Sequence, residues 1–196
     1  MIRLLVVDDH IPTRDQAVKD LSQGGLINVV GQAGTSDEAW KVASQLLPDI
    51  VLLDLHLPGL IQTFDLIKKL GSLKNVRIVV FASQSKASEV QDLLDAGAAA
   101  YVLKTDPAAL VRMAIVMVHK GSRGVVSPAL PRHLTRLSPQ ERTVLRQLTM
   151  RGKLARAPER LGISELELEG LITHLREKLE IETPDQLVKW AKKHGF

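Results

Sequence analysis

Residues 4–10 have the sequence LLVVDDH, residues 51–59 have VLLDLHLPG and residues 95–104 have DAGAAAYVLK. Each stretch contains a short apolar run that is followed by a charged side chain. Strands buried on both faces of a parallel sheet have this composition, because helices cover both faces. The three stretches therefore predict buried strands with charged groups at their carboxyl ends.

Two further apolar runs, residues 29–33 and 77–81, lie between these strands, and amphipathic segments with helical spacing separate all five runs. Parallel strands that alternate with helices form α/β folds in which the sheet is wound in both directions. Residues 1–120 are therefore predicted to form a doubly wound, five-stranded parallel sheet.

The pattern changes after residue 120. Residues 121–136 are rich in Gly, Pro and Ser and are predicted to be a linker. Residues 137–196 show helical periodicity without a strand signal, and Ser138, Ser164 and Thr183 each stand where a helix N-cap is expected. A small all-α domain is therefore predicted for residues 137–196.

The composition limits the class of protein. The chain has 196 residues, no cysteine and 45% hydrophobic residues, which excludes a disulfide framework and thiolate metal sites and is sufficient for packed cores. The apolar runs are far shorter than the roughly 20 residues that a membrane helix needs, and a secretory signal is not recognised. We expect a cytoplasmic protein without a membrane partner.

Charge is distributed unevenly along the chain. Residues 1–120 carry a net charge of −1, whereas residues 121–196 carry +5. The basic part is a candidate for nucleic-acid binding, with a solvated basic surface as the alternative. Aromatic residues make up only 3% of the chain, which argues against a module that stacks bases on aromatic rings.

The predicted strand ends bring acidic groups together. Asp8 and Asp9 follow the first strand, Asp54 ends the third and Lys104 ends the fifth. Ligands of parallel α/β sheets bind beyond these carboxyl ends, and clustered carboxylates favour a divalent cation such as Mg²⁺. A metal beside a carboxylate favours phosphoryl chemistry, with Lys104 as a phosphate partner. The alternative is that these residues merely end their strands.

These motifs and the lengths between them resemble the receiver domain of response regulators over residues 1–120. The resemblance implies that Asp54 is the phosphoacceptor and that Lys104 contacts the phosphoryl group. It implies that Asp8, Asp9 and Asp54 bind Mg²⁺ together with the backbone carbonyl of His56.

The predicted switch differs from the family pattern. The family places Thr or Ser at the end of the fourth strand, where this chain has Ala82, followed by Ser83. Either Ser83 replaces the missing hydroxyl or switching is weakened, and strand alternation favours weakened coupling because it directs Ser83 to the other face. Tyr101 occupies the position of the aromatic residue whose rotamer reports activation in the family.

The last third resembles the LuxR-type helix-turn-helix domain of the NarL/FixJ family. The segments that carry the resemblance are LSPQERTVLRQL (137–148), ERLGIS (159–164), LREKL (175–179) and TPDQLVKWA (183–191). The resemblance implies a two-component transcription factor whose helix after Ser164 enters the major groove. The implied partners are a sensor histidine kinase, DNA and a second copy of the chain.

That helix departs from the family pattern because it is acidic. Residues 164–180 carry a net charge of −3, whereas residues 132–160 carry +6. Pro158 and Gly170 also disfavour the expected helices, at about 3 and about 1 kcal/mol. We therefore expect weak, poorly selective binding to DNA phosphates. The basic residues assigned to this contact are Arg142, Arg146, Arg151, Lys153, Arg156, Arg176 and Lys178.

Two functions follow from these patterns. The first is a response regulator that is phosphorylated on Asp54 and regulates transcription by binding DNA. The alternative is a receiver whose degenerate helix-turn-helix domain signals by binding another protein. Enzymatic chemistry is expected only as self-phosphorylation from donors and self-dephosphorylation of Asp54, because no nucleophile–base pair is recognised elsewhere.

Overall fold

The chain forms two compact units. Contacts divide it into Met1–Ser85 with Asp92–Leu130, and Lys86–Gln91 with Pro131–Phe196. The computed structural model describes residues 1–83, 87–130, 137–150 and 157–196. Among these residues, no helix combines the length and the apolar character that crossing a membrane requires.

A parallel sheet forms the centre of the first unit. Its strands are β1 (Ile2–Val7), β2 (Ile27–Ala33), β3 (Ile50–Leu53), β4 (Arg77–Ala82), β5 (Ala100–Leu103) and β6 (Val125–Val126). Their order across the sheet is β2-β1-β3-β4-β5-β6, and every pair is parallel. The predicted doubly wound α/β class is confirmed, with six strands in place of the five expected.

The sixth strand lies inside the stretch that was predicted to be a linker. Gly121 and Gly124 adopt φ values of +105° and +69°, which turn the chain back toward the sheet. The amide of Val125 then donates to the Ala99 carbonyl at 3.3 Å, and the amide of Ser127 donates to the Tyr101 carbonyl at 2.8 Å. The prediction of a linker was wrong at this point. The Gly and Pro residues indicate a loop, but the β-branched pair Val125 and Val126 between them favours a strand.

Five helices alternate with the strands of this sheet along the chain, and residues 87–91 of the fourth belong by their contacts to the second unit. The five helices are α1 (Ile11–Leu21), α2 (Ser36–Leu46), α3 (Thr63–Ser72), α4 (Ala87–Asp95) and α5 (Ala108–His119). On one face, Leu21 of α1 and Ile115 of α5 pack with Leu4 and Leu52 of the strands in one buried cluster. This packing fixes the ends of β1 and β3 beside each other, which positions the acidic residues that follow them.

The loop after β3 is held against the start of α2. The Ser36 hydroxyl accepts from the Ile61 amide at 3.2 Å, and the Asp37 carboxylate accepts from the Leu60 amide at 2.7 Å. Gly59, which immediately precedes these two amides, adopts a φ of +135°. A Cβ at this position would lie 2.2 Å from Ser36 Oγ. Only glycine fits this position, so the backbone conformation of the loop that follows Asp54 is tightly defined.

The second unit is helical, as predicted. Its described helices are α6 (Pro139–Thr149), α7 (Ala157–Leu161), α8 (Glu165–Lys178) and α9 (Pro184–Lys193). Ser138, Ser164 and Thr183 are the N-caps of α6, α8 and α9, each in a capping box, which confirms the three predicted helix starts. Pro158 falls in the first turn of the short α7, where a proline is tolerated.

Candidate functional site

Three aspartates converge at the carboxyl ends of two neighbouring strands. Asp8 and Asp9 follow β1, Asp54 follows β3, and Val7 and Leu53 are paired in the sheet. One carboxylate oxygen from each aspartate lies within 4.8 Å of the other two. Asp8 is 1% exposed and Asp54 is 5% exposed, whereas Asp9 is exposed. The structure therefore brings the predicted acidic residues together in one pocket that opens to solvent at Asp9.

Lys104 bridges the two buried carboxylates. Its Nζ lies 2.7 Å from Asp8 Oδ2 and 3.1 Å from Asp54 Oδ2. Burial of the ammonium group opposes its charge, but the hydrogen bonds to Asp8 and Asp54 and their negative charges have the larger combined effect, so the pKa of Lys104 is raised above 10.5. Lys104 therefore remains protonated beside Asp54 at any physiological pH.

Backbone amides occupy the other oxygen of each buried carboxylate. Asp8 Oδ1 accepts from the His10 amide at 3.0 Å, and Asp54 Oδ1 accepts from the Leu55 amide at 2.8 Å. His10 is the N-cap of α1, and its Nδ1 lies 2.7 Å from Thr13 Oγ1. These contacts leave Oδ2 of Asp8 and of Asp54 directed at Lys104, so these two oxygens are the ones placed for chemistry.

The charge balance of the pocket favours a divalent cation. Three carboxylate groups and one ammonium group give a formal net charge of −2 among side chains that lie within a few ångströms of one another. Carboxylate oxygens are the ligands that Mg²⁺ prefers, and a net double negative charge matches its charge. His56 lies in the exposed loop two residues after Asp54, and the role of its backbone carbonyl remains a prediction.

Two positioning contacts were not found from the sequence. Arg14 Nη1 donates to the Asp8 carbonyl at 2.7 Å, and Thr63 Oγ1 donates to the Leu55 carbonyl at 2.8 Å. Both side chains bind backbone atoms, which every residue carries, so no residue pattern identifies the partner. They hold the backbone segments that carry Asp8 and Asp54.

The predicted switch residues lie in or next to β4 and β5: Ala82 ends β4, Ser83 follows it, and Tyr101 lies within β5. Ala82 is 2% exposed, and its carbonyl accepts from the Lys104 amide at 2.8 Å. Ser83 is exposed, and Tyr101 is fully buried in β5. The position beside Lys104 that carries a hydroxyl in the receiver pattern is therefore occupied by a methyl group.

Most of the described basic residues that are predicted to contact DNA contact other residues of the second unit instead. Arg142 is 3% exposed and donates from Nη1 to the Leu137 carbonyl at 2.7 Å. Its assignment as a phosphate contact was wrong, because its position in α6 directs it into the core. Arg146 is half-buried, and Arg176 donates to the Glu182 carbonyl. Three further assigned cations lie outside the described residues, namely Arg151, Lys153 and Arg156.

Lys178, the last of these cations, is bound to a buried glutamate. Both oxygens of Glu141 lie 2.8 Å from Lys178 Nζ, and Oε2 also accepts from the Ser138 amide at 2.5 Å. His174 Nε2 lies 3.3 Å from Oε1. Burial favours the neutral acid, but the hydrogen bonds from Lys178 and Ser138 favour the ionised form more strongly, and the pKa of Glu141 is lowered. This ion pair joins α6 to α8.

The exposed surface of α8 is acidic, as its sequence predicts. Glu165, Glu169 and Glu177 are exposed, and Leu166, in the first turn of the helix, is 79% exposed. Glu167 instead caps the helix, since its carboxylate accepts from the Ser164 amide and hydroxyl, which lowers the pKa of Glu167. The helix that is predicted to enter the major groove therefore presents carboxylates on its exposed surface.

Comparisons with known proteins identify one family match and relatives that span nearly the whole chain. Residues 4–115 match the response regulator receiver domain family. The chain is 32% identical to the response regulator GacA of Pseudomonas viridiflava over all of the chain and 98% of that protein. It is 28% identical to the nitrate/nitrite response regulator NarL of Escherichia coli K12, over 96% of the chain and 94% of that protein.

A similar solved structure extends the likeness to both units. The RcsB response regulator of Salmonella typhimurium has a TM-score of 0.66 and 23% sequence identity, covering 98% of this chain and 100% of that one. At this identity the likeness concerns the fold. It supports a receiver-like sheet followed by a helical unit in a single chain.

Replacing Glu141 with Gln should destabilise the second unit by about 1–3 kcal/mol at pH 7, because the substitution removes a buried charge partner of Lys178. A lowered folded pKa contributes stability above the unfolded value, and this stability is lost as pH falls through the folded pKa. The difference in unfolding free energy between wild type and Glu141→Gln should therefore become smaller as the pH falls below 4.5, the ordinary pKa of a glutamate. Urea unfolding monitored by Trp190 fluorescence in a Trp40→Phe background measures it.

The control is Glu177→Gln, which makes the same chemical change at an exposed position of α8. It should leave the unfolding free energy nearly unchanged. A Glu141→Gln effect that is equal at pH 7 and pH 3.5 would contradict the assigned ion pair.

Proposed function

The chain belongs to the response regulators of two-component systems, in the NarL/FixJ group of DNA-binding regulators, and from this premise we propose that Asp54 accepts a phosphoryl group and controls the second unit. The observation that carries the proposal is the buried Asp54 with one oxygen directed at Lys104 beside Asp8. The family predicted from the receiver and helix-turn-helix motifs is confirmed.

The chemistry at Asp54 is a phosphoryl transfer. Asp54 Oδ2 attacks the phosphorus of a phosphohistidine on a sensor histidine kinase, a P–O bond forms and the P–N bond to the kinase breaks. Lys104 can move from the Asp54 carboxylate to a phosphoryl oxygen while it remains charged. Hydrolysis of the acyl phosphate by water returns Asp54 to its starting state.

Mg²⁺ is the cation that this pocket would take. Asp8, Asp9, Asp54 and the carbonyl of His56 would hold it, and it would supply charge neutralisation of the phosphoryl oxygens. Asp8 is fixed for this role by the Arg14 and His10 contacts. The position of Asp8 is thus determined by the fold before a metal binds.

The second unit is the output domain in this proposal. We assign residues 1–120 with β6 to the receiver, residues 137–196 to the effector, and the connection between them to a linker. Phosphorylation would promote pairing of two copies and weak binding to DNA. The exposed cations among the described residues of the second unit, which remain for phosphate contact, are Arg160 on α7 and Lys189, Lys192 and Lys193 on α9.

A second candidate function is supported by the surface of α8. Glu165 and Glu169 surround the exposed Leu166, and carboxylates near phosphates oppose DNA binding. An apolar side chain within a charged rim is typical of protein interfaces. The alternative is therefore a receiver whose effector unit binds a protein.

Asp54→Asn should abolish labelling by a small phosphodonor such as acetyl phosphate, because the amide cannot attack phosphorus. Wild-type labelling should require Mg²⁺ and be lost with a chelator. Intact-protein mass spectrometry measures the added phosphoryl mass. The control, Asp9→Asn, retains the nucleophile and should slow labelling without abolishing it. Equal labelling of wild type and Asp54→Asn would place the phosphoacceptor elsewhere.

Ala82→Thr should strengthen the phosphorylation-dependent change in oligomeric state, because it restores a hydroxyl beside Lys104 that can hydrogen-bond the phosphoryl group. Size-exclusion chromatography with and without beryllofluoride measures this change. Ala82→Val is the matched control, since Val has the shape of Thr without its hydroxyl. If Ala82→Val and Ala82→Thr change the oligomeric state equally, the missing hydroxyl does not account for weakened switching.

Replacing Glu165 and Glu169 together with Lys should tighten binding to duplex DNA, because phosphate repulsion is replaced by attraction. Up to two new phosphate contacts should steepen the logarithmic salt dependence by up to about two. Fluorescence anisotropy across a salt series measures both quantities. Glu167 is left unchanged because it caps α8.

The control for total charge is Asp15→Lys with Asp65→Lys, which makes the same charge change at exposed sites of the first unit. It should tighten binding far less. A selective wild-type complex that is lost when Glu165 and Glu169 are replaced would show that these glutamates contact bases.

A further inference from the structure

A cleft lies between α5 and the edge strand β6, and its lining shares no residue with the Asp54 pocket. Its volume is about 520 Å³, within the roughly 300–1,000 Å³ range of small-molecule sites. Apolar side chains form most of its walls, among them Leu110, Met113, Met117, Val125 and Val126. This lining suits a ligand with an apolar body.

The charged groups of the cleft determine which polar group such a ligand carries. Asp106 is occupied, because Oδ2 accepts from the Leu103 amide at 2.9 Å and Oδ1 accepts from the Ser127 hydroxyl at 2.8 Å. Arg123 also lines the cleft, and its exposed side chain makes no hydrogen bond or ion pair to the described part of the chain. Arg123 is therefore the charged side chain of the cleft that is available to bind the head group of a ligand.

We propose that this cleft binds a small amphipathic carboxylate, with its apolar chain against Met113 and Met117 and its carboxylate on Arg123. A guanidinium group binds a carboxylate through two parallel hydrogen bonds, which a neutral or cationic head group cannot reproduce. Methionine side chains are flexible and polarisable and adapt to an unbranched chain. Met113 is 53% exposed and Met117 is 39% exposed, so both can cover a bound chain.

A ligand in this position would act independently of Asp54. It would pack on Val125 and Val126, the two residues that join β6 to β5. β6 is the last strand before the effector, so the ligand would stabilise the end of the receiver without touching the phosphorylation pocket. Decanoate should accordingly bind to Asp54→Asn as it does to wild type.

The four methionines of the chain provide a direct test. In protein labelled with ¹³C at the methionine methyl groups, decanoate below its micelle concentration should shift the Met113 and Met117 signals saturably. The signals of Met1 and Met150, which lie outside the cleft, should remain in place. Shifts of all four signals, or of none at millimolar decanoate, would overturn the proposal.

Variants test the role assigned to each group. By calorimetry, Arg123→Gln should weaken decanoate binding about two- to fivefold, which is the range for an ion pair at an exposed position. Met117→Glu should abolish binding by placing a carboxylate in the cleft. Lys120→Gln removes an exposed cation that does not line the cleft and should have no effect.

Decanol provides the matched ligand, because it keeps the chain and lacks the charge. It should bind more weakly than decanoate and should not respond to Arg123→Gln. Decanoate affinity that is the same in wild type, Arg123→Gln and Met117→Glu would show that binding occurs elsewhere.

Discussion

The attraction of one ammonium group for two buried carboxylates organises the receiver pocket. Lys104 reaches Asp8 and Asp54 from a third strand, and without it two negative charges would repel each other in a site with little solvent. The same contact leaves one oxygen of Asp54 beside a positive charge. Sheet order, helix packing and the backbone contacts from Arg14 and Thr63 all serve to keep these three side chains within bonding distance.

The effector unit shows how packing can remove charge from a surface. The sequence of this region is basic, yet Arg142 is buried and Lys178 is bound to Glu141. A cation that neutralises a buried carboxylate cannot also neutralise a phosphate without leaving that carboxylate unpaired. Among the described residues, the charge available to a partner of α8 is consequently negative, and DNA binding must rely on other parts of the unit.

Much of the fold and of the acidic pocket could be predicted, because both depend on local patterns. Apolar runs that end at Asp8, Asp54 and Lys104 identify strands and their carboxyl ends, and capping residues identify helix starts. The strand β6 was missed because two residues are too few for a periodic signal. The burial of Arg142 and the contacts of Arg14 were missed because each depends on a backbone carbonyl, which no side-chain pattern reveals.

The short strand β6 also affects the tendency of the protein to aggregate. A sheet edge with free amides and carbonyls is a template for another chain, and natural proteins limit such edges by making them short. β6 covers β5 with only two paired residues, Val125 and Val126. A receiver ended at residue 120 would expose the whole of β5, an apolar strand, to other molecules. When the receiver of this chain is produced alone, it should therefore extend through Leu130, where the compact unit ends. Ending it there keeps β6 and limits aggregation through the edge of β5.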